Sequence, residues 1–403
     1  MNSPSPISHL PSAPRILIRG TNWLGDAVMI TSALLRLREK FADAHVALLC
    51  PEKLRDLWVG HPTVNETIPF TPGESVFSIG KKLRAGKFEV ALVLPNSSRS
   101  AIETWLAGIP QRIGYARPGR NFFLTQTVAP RPEAVKMRKR SVSEIKRRTG
   151  VSPVSKVISE KTETGRMPVL QTTAHQIHEY LHLVAALGAN PELLPPQLFV
   201  TPDEIEAARK KFGLENISQP VLGLNPGAEY GPAKRWPVER FAAAVREIQK
   251  RTNCVWLIFG GRGDVEIVNQ IASQLPSARS HFLNLAGKTS LRELMALLKL
   301  SRVLLTNDSG PMHVAAALGT PVVVPFGSTS PELTGPGLPG DPGHRLLKSD
   351  APCAPCFRRE CPIDFRCLNG ITVERVVEAI LGIIKTQESR QRDSFEGRSQ
   401  KAE

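Results

Sequence analysis

Short continuous apolar runs alternate along the chain with stretches whose apolar residues recur at helical spacing. Residues 15–19 (RILIR) read as a strand. From 25 to 41, Val28, Leu34, Leu35, Leu37 and Phe41 mark one face of a helix. Strand-like runs return at 45–50 and 89–94. Strands that are apolar throughout, alternating with helices, predict a parallel sheet covered on both faces. The second half repeats this rhythm, with strands expected at 221–224, 255–259, 303–305 and 321–326 and helices at 238–250, 264–275 and 291–300. The chain is therefore expected to be α/β, with two Rossmann-like, doubly wound domains and a ligand cleft between the carboxyl ends of their sheets.

Between the two halves the pattern breaks. Residues 131–171 are basic, contain no aromatic side chain and carry the pattern T-G-x-x-P-V twice, at 149–154 and 164–169. Such a segment is expected to loop out without joining a core. A helix resumes at about 174–187, and the proline-rich stretch 191–202 reads as a linker. The expected layout is a disordered 1–14, a first domain at 15–190 containing the insertion, a second at 203–385, and a fraying polar tail at 386–403.

The length of 403 residues accommodates two domains of ordinary size. A 41% hydrophobic and 22% charged composition excludes a wholly disordered chain. The formal charge of +15 makes anionic partners plausible, and 131–170 alone holds 11 basic and 4 acidic residues. Nucleic acid is disfavoured, because this basic segment has no aromatic ring on which a base could stack. The N-terminus lacks a basic start followed by an apolar core, so no secretion signal is read and a cytoplasmic location is expected. The longest uncharged run, 309–331, is broken by Pro311, Pro321 and Pro325 and reads as helix, turn and buried strand rather than a membrane span.

Three loops could carry chemistry. The first, Gly20-Thr-Asn-Trp-Leu-Gly25-Asp26, leaves a strand and opens a helix. It lacks the lysine of a P-loop and the G-x-G-x-x-G of a dinucleotide fingerprint. Asp26 reads either as a carboxylate placed to accept a proton from a hydroxyl or as an N-terminal helix cap. The second loop, 224–237, brings Lys234 and Arg235 just ahead of a helix, where a point charge and a planar fork suit a diphosphate. The third, Thr306-Asn-Asp308-Ser309-Gly310-Pro-Met-His313, offers a phosphate cradle at Ser309 and Gly310, with Asp308 toward sugar hydroxyls and His313 toward the diphosphate or packed in the helix. Cys353, Cys356, Cys361 and Cys367 form C-x2-C-x4-C-x5-C, which reads as buried thiols or a structural zinc site without paired knuckles.

The stretches RGTNWLGDAVM, LNPGAEYGPAKRWP and NDSGPMHVAAALGTPVVVPFGSTSPELTGP make the chain resemble the ADP-heptose:lipopolysaccharide heptosyltransferases of glycosyltransferase family 9, over about 15–130 and 174–385. The resemblance implies a GT-B fold and an inverting transfer of heptose from ADP-heptose to a heptosylated lipopolysaccharide inner core. It implies Asp26 as base, Lys234 as diphosphate ligand, Asp308 and His313 as donor-binding residues, and Asp264 or Glu266 on the nucleotide ribose. No cofactor is expected; transient contact with the inner leaflet is. A two-domain sugar-nucleotide epimerase is the rival reading, told apart because it needs no acceptor.

Overall fold

The computed structural model describes residues 11–150, 173–276 and 281–399. Its described residues fall into two compact units, one within Met1–Val135, Pro168–Val200 and Glu332–Gly340, the other within Lys136–Met167, Thr201–Pro331 and Asp341–Glu403.

The first unit is built on β1 (Arg15–Arg19), α1 (Leu24–Lys40), β2 (His45–Pro51), β3 (Glu66–Phe70), α2 (Val76–Arg84), β4 (Val90–Val93), α3 (Ser98–Leu106), β5 (Gln111–Tyr115) and β6 (Gln126–Val128). All its strands pair in parallel, in the order β3-β2-β1-β4-β5-β6. Strands β1 and β4 are buried almost end to end because helices cover both faces of the sheet. The order reverses direction between β1 and β4, and ligands of doubly wound sheets bind outside the carboxyl ends of the strands at such a switch point. The loop carrying Asp26 leaves β1 there.

The chain then forms α4 (Val142–Thr149), which belongs to the second unit, and α5 (Ile177–Ala185), which returns to pack on α1. The second unit continues with α6 (Pro202–Lys211), β7 (Val221–Asn225), α7 (Val238–Thr252), β8 (Val255–Ile258), α8 (Val265–Ala272), β9 (Phe282–Asn284), α9 (Leu291–Leu300), β10 (Leu304–Thr306), α10 (Gly310–Ala317), β11 (Val322–Pro325), β12 (Arg345–Leu347) and α11 (Val373–Ser399). Its parallel sheet, β12-β11-β10-β7-β8-β9, has the same winding, with the switch point between β7 and β10. Trp236, Phe241, Trp256 and the apolar side of α11, including Ile380 and Ile383, fill its core.

Two expectations are corrected. The basic segment does not stay clear of a core: Ile145 on α4 is 1% exposed and packs with Cys353 and Cys356. A capping box fixes α4, with Ser141 Oγ accepting from Glu144 N at 3.1 Å and Glu144 Oε2 from Ser141 N at 2.7 Å. Arg140 N donates to Cys356 O at 3.0 Å and Arg140 NH1 to Cys353 O at 2.9 Å, so its first part is fastened to the second unit. The second T-G-x-x-P-V and most of the first lie outside the described residues. The tail also differs, because α11 runs to Ser399 instead of fraying after Thr386. Its polar continuation follows a buried apolar turn, and Gln387 Nε2 ties it to Arg302 O at 2.9 Å.

Candidate functional site

In the first unit a buried ion pair shapes the loop after β1. Arg19 Nε meets Glu103 Oε2 of α3 at 2.8 Å, both side chains being buried. Its NH1 donates to Gly20 O at 2.6 Å and Asn22 Oδ1 at 3.0 Å. Breaking such a pair on one side typically costs about 3–5 kcal/mol, so the loop geometry is firmly set. Helix α1 is capped at Trp23 without a side-chain hydrogen bond, and Asp26 is its third residue. Asp26 is therefore not the N-cap. Its Oδ1 instead accepts from Gln176 Nε2 at 2.7 Å and from Tyr180 OH at 3.1 Å, and Gln176 Nε2 also donates to the Tyr180 oxygen at 2.9 Å. Burial, then the Asp26 charge, pushes the Tyr180 phenol well above its ordinary range, so it remains a hydrogen-bond donor.

Arg120 adds a buried cation near the carboxyl ends of β4 and β5. Its NH1 donates to Pro95 O at 2.8 Å and Asn96 Oδ1 at 3.3 Å, while Nε and NH2 have no partner among the described residues. Burial, with Arg117 nearby, lowers its pKa to about 10. It still carries full charge at neutral pH and suits an anion. Sequence reasoning missed Gln176, Tyr180 and Arg120. The first two lie about 150 residues from Asp26, and nothing in the local pattern around Arg120 announces a buried guanidinium.

In the second unit the loops after β7 and β10 converge. Lys234 Nζ lies 2.7 Å from Asp308 Oδ2, and Thr329 Oγ1 donates to the same oxygen. Asp308 is 4% exposed, and the Lys234 ammonium and the Thr329 hydroxyl both meet its Oδ2. Tyr230 lies beneath Lys234, with Nζ 4.7 Å from the ring centroid, and its hydroxyl donates to Phe357 O at 2.7 Å. Asn307 locks the two loops together, accepting from Trp236 N at 2.9 Å and donating to Pro226 O at 2.6 Å. Gly231 has φ 143° and a Cβ there would come 2.7 Å from Arg359 O, so only glycine lets the loop pass.

Ser309 caps α10 without a side-chain hydrogen bond, so Gly310 and the following residues start a helix beside the Lys234–Asp308 pair. His313 is buried. Burial pulls its pKa down to about 4, with Asp308 opposing and Lys234 adding to the fall, so the ring is neutral at pH 7. The structure also separates the two acidic candidates after β8. Asp264 Oδ2 accepts from Gly261 N at 3.0 Å, and Oδ1 lies 4.0 Å from Arg235 NH2. Glu266 is exposed and accepts from Gln270 one turn along α8. Arg235 donates to Ala228 O at 3.2 Å, and its Nε has no partner among the described residues.

Cys353, Cys356, Cys361 and Cys367 are free thiols, all but Cys361 buried. Burial pushes Cys367 up to about 12. Among the described residues no group of three His, Cys, Asp or Glu side chains is placed to hold a metal ion. Among the same residues no helix is long and apolar enough to cross a membrane.

The glycosyltransferase family 9 (heptosyltransferase) profile matches residues 76–163 and 144–365. The chain belongs to this family. Lipopolysaccharide heptosyltransferase 2 of Escherichia coli (strain K12) is 32% identical to it over 329 residues, 80% of this chain and 85% of the relative. Lipooligosaccharide heptosyltransferase 2 of Haemophilus influenzae is 30% identical over 330 residues, again 80% and 85%. The solved structure of E. coli ADP-heptose lps heptosyltransferase II superimposes with a TM-score of 0.73 at 28% identity, covering 93% of this chain and 99% of that one. This family 9 glycosyltransferase thus has the GT-B fold that the resemblance implies.

Proposed function

We propose that this glycosyltransferase moves heptose from ADP-heptose to the already heptosylated inner core of lipopolysaccharide, adding the second heptose. The observation that carries the reading is the Asp26 carboxylate at the first switch point, steered by Gln176, which caps α5, and by Tyr180 within it. One oxygen is held by Gln176 and Tyr180, which fixes the direction in which the carboxylate meets an acceptor hydroxyl. In this reading Asp26 takes the hydroxyl proton as the oxygen attacks the anomeric carbon from the face opposite ADP. The C–O bond to the diphosphate breaks, and configuration inverts.

Charge grows on the departing diphosphate. Lys234, aimed by Asp308, meets it together with the amides opening α10, and Arg235 lends a second positive charge. Asp264, beside Arg235, takes the ribose. Arg120 suits the anionic groups of the acceptor core. The protein side chains supply the charge stabilisation, and we infer no cofactor. The enzyme works in this reading at the cytoplasmic face of the inner membrane, where a lipid-linked acceptor is met in transient contact. The test is ADP release from ADP-heptose with and without purified heptosylated core acceptor. Acceptor-dependent release supports the reading, and equal release in both would count for hydrolysis or epimerisation.

A further inference from the structure

Helix α3 has two unlike sides. Its inner side is buried at Ala101, Glu103 and Thr104, and Glu103 is the residue that grips Arg19 below the Asp26 loop. Its other side ends in Trp105, 42% exposed, whose ring meets Phe123 edge-on at 5.5 Å. Phe123 meets Phe122 at 5.4 Å, and Phe122 is 81% exposed. Helix α2 packs against α3 through Gly80 and Leu106 and presents Phe77, 72% exposed. Five aromatic side chains are exposed among the described residues, and three of them, Phe77, Trp105 and Phe122, belong to these adjoining elements.

Cations accompany the rings. Lys81, Lys82 and Arg84 end α2, and all three are exposed. Arg84 NH2 donates to Leu106 O at 2.7 Å, and Arg112 Nε to Phe123 O at 2.8 Å, which fastens the aromatic segment to its neighbours. Phenyl and indole rings mixed with basic residues match the headgroup region of an anionic bilayer, where rings enter the acyl boundary and ammonium groups meet phosphates.

We propose that this face of the first unit docks on an anionic membrane surface, with Phe77, Trp105 and Phe122 entering the interface and Lys81 and Arg84 meeting lipid phosphates. The proposal deepens the functional reading, on which it rests for the choice of a lipid surface as occupant, because the acceptor proposed above is itself anchored in one. The helix whose outer end would enter the interface also holds the loop that carries Asp26. A second basic surface, Lys136, Lys139, Lys146 and Arg147 around α4, offers charge and the exposed Val135, Met137 and Val142 but no exposed ring.

The experiment is co-sedimentation of the full chain with vesicles of phosphatidylcholine and phosphatidylglycerol in equal parts. Phe122→Ser and Phe77→Ser should each weaken binding about tenfold, and Lys81→Glu about fivefold or more. Raising salt should weaken the Lys81-dependent part while the phenylalanine-dependent part persists. Heptose transfer to a soluble acceptor fragment should stay unchanged in all three, which reports both folding and the functional reading separately from docking. Vesicle binding equal to wild type in the two phenylalanine variants would overturn the proposal. So would binding that disappears instead in Lys146→Glu/Arg147→Glu, or a face that captures a protein partner but no vesicles. Failure of the wild type to transfer heptose would count against the functional reading and leave the vesicle result to judge the surface.

Discussion

Asp26 was visible in the sequence only as one of two things, a cap or a base, since both place a carboxylate in the first turn of a helix. The structure decides the capping question through Trp23, and the partners Gln176 and Tyr180 give the carboxylate a fixed heading. Asp26→Asn should keep fold and ADP-heptose affinity while turnover drops about 100- to 10,000-fold; single-turnover kinetics with calorimetry of donor binding checks both parts. Lys234→Ala should lower kcat/KM about 100-fold or more, because it removes charge that matters most as the diphosphate departs. That variant also leaves Asp308 buried without its cation, so steady-state kinetics should be read beside a denaturation curve. His313 supplies a pH test. Its folded pKa of about 4 lies below the ordinary 6.5, so below pH 6.5 the unfolded chain binds a proton that the folded chain refuses. The stability it permits is whole above pH 6.5 and is lost as pH falls toward 4, and His61, also at about 4, acts in the same direction. Urea denaturation at pH 7 and pH 5 should show a smaller loss in His313→Asn than in wild type.

At the scale of elements, strands were legible wherever an apolar run was long and unbroken. The expected strand at 15–19 coincides with β1 and the expected helix at 291–300 with α9. The short edge strands β9 and β12 were not, because three partly exposed residues leave no periodicity to read. Helix α4 was missed for a different reason. Its single buried apolar residue, Ile145, finds its partners Cys353 and Cys356 about 210 residues further on, and surrounding arginines and lysines hid it in a basic run. Ile145→Ala should cost about 2–5 kcal/mol by leaving a cavity there. It should also raise the reactivity of Cys353 and Cys356 toward a thiol reagent. A Gly-Ser replacement of the segment, harmless had it been a free loop, should do the same; unchanged thiol reactivity and stability in both variants would mean that α4 contributes nothing to this core.

At the scale of the whole molecule, the two sheets share one winding, which gives each unit a switch point for its candidate loops. Each unit places its candidate loops where its strand order reverses: Asp26 after β1 in one, Lys234 and Asp308 after β7 and β10 in the other. The three motifs that gave the family away in the sequence lie at these loops, so the candidate residues could be named before the fold was known. The partners of Asp26 could not, since Gln176 and Tyr180 are recruited by the fold from about 150 residues away. The excess of positive charge, +15 over the chain, fits an enzyme whose donor and acceptor are both anionic. The most direct test of the account follows labelled heptose from ADP-heptose onto purified heptosylated inner core, with wild type and Asp26→Asn side by side. The account predicts acceptor-dependent ADP release, one inverted glycosidic bond per ADP, and near-complete loss of both in the variant. Heptose released to water regardless of acceptor, or transfer by Asp26→Asn at the wild-type rate, would contradict it.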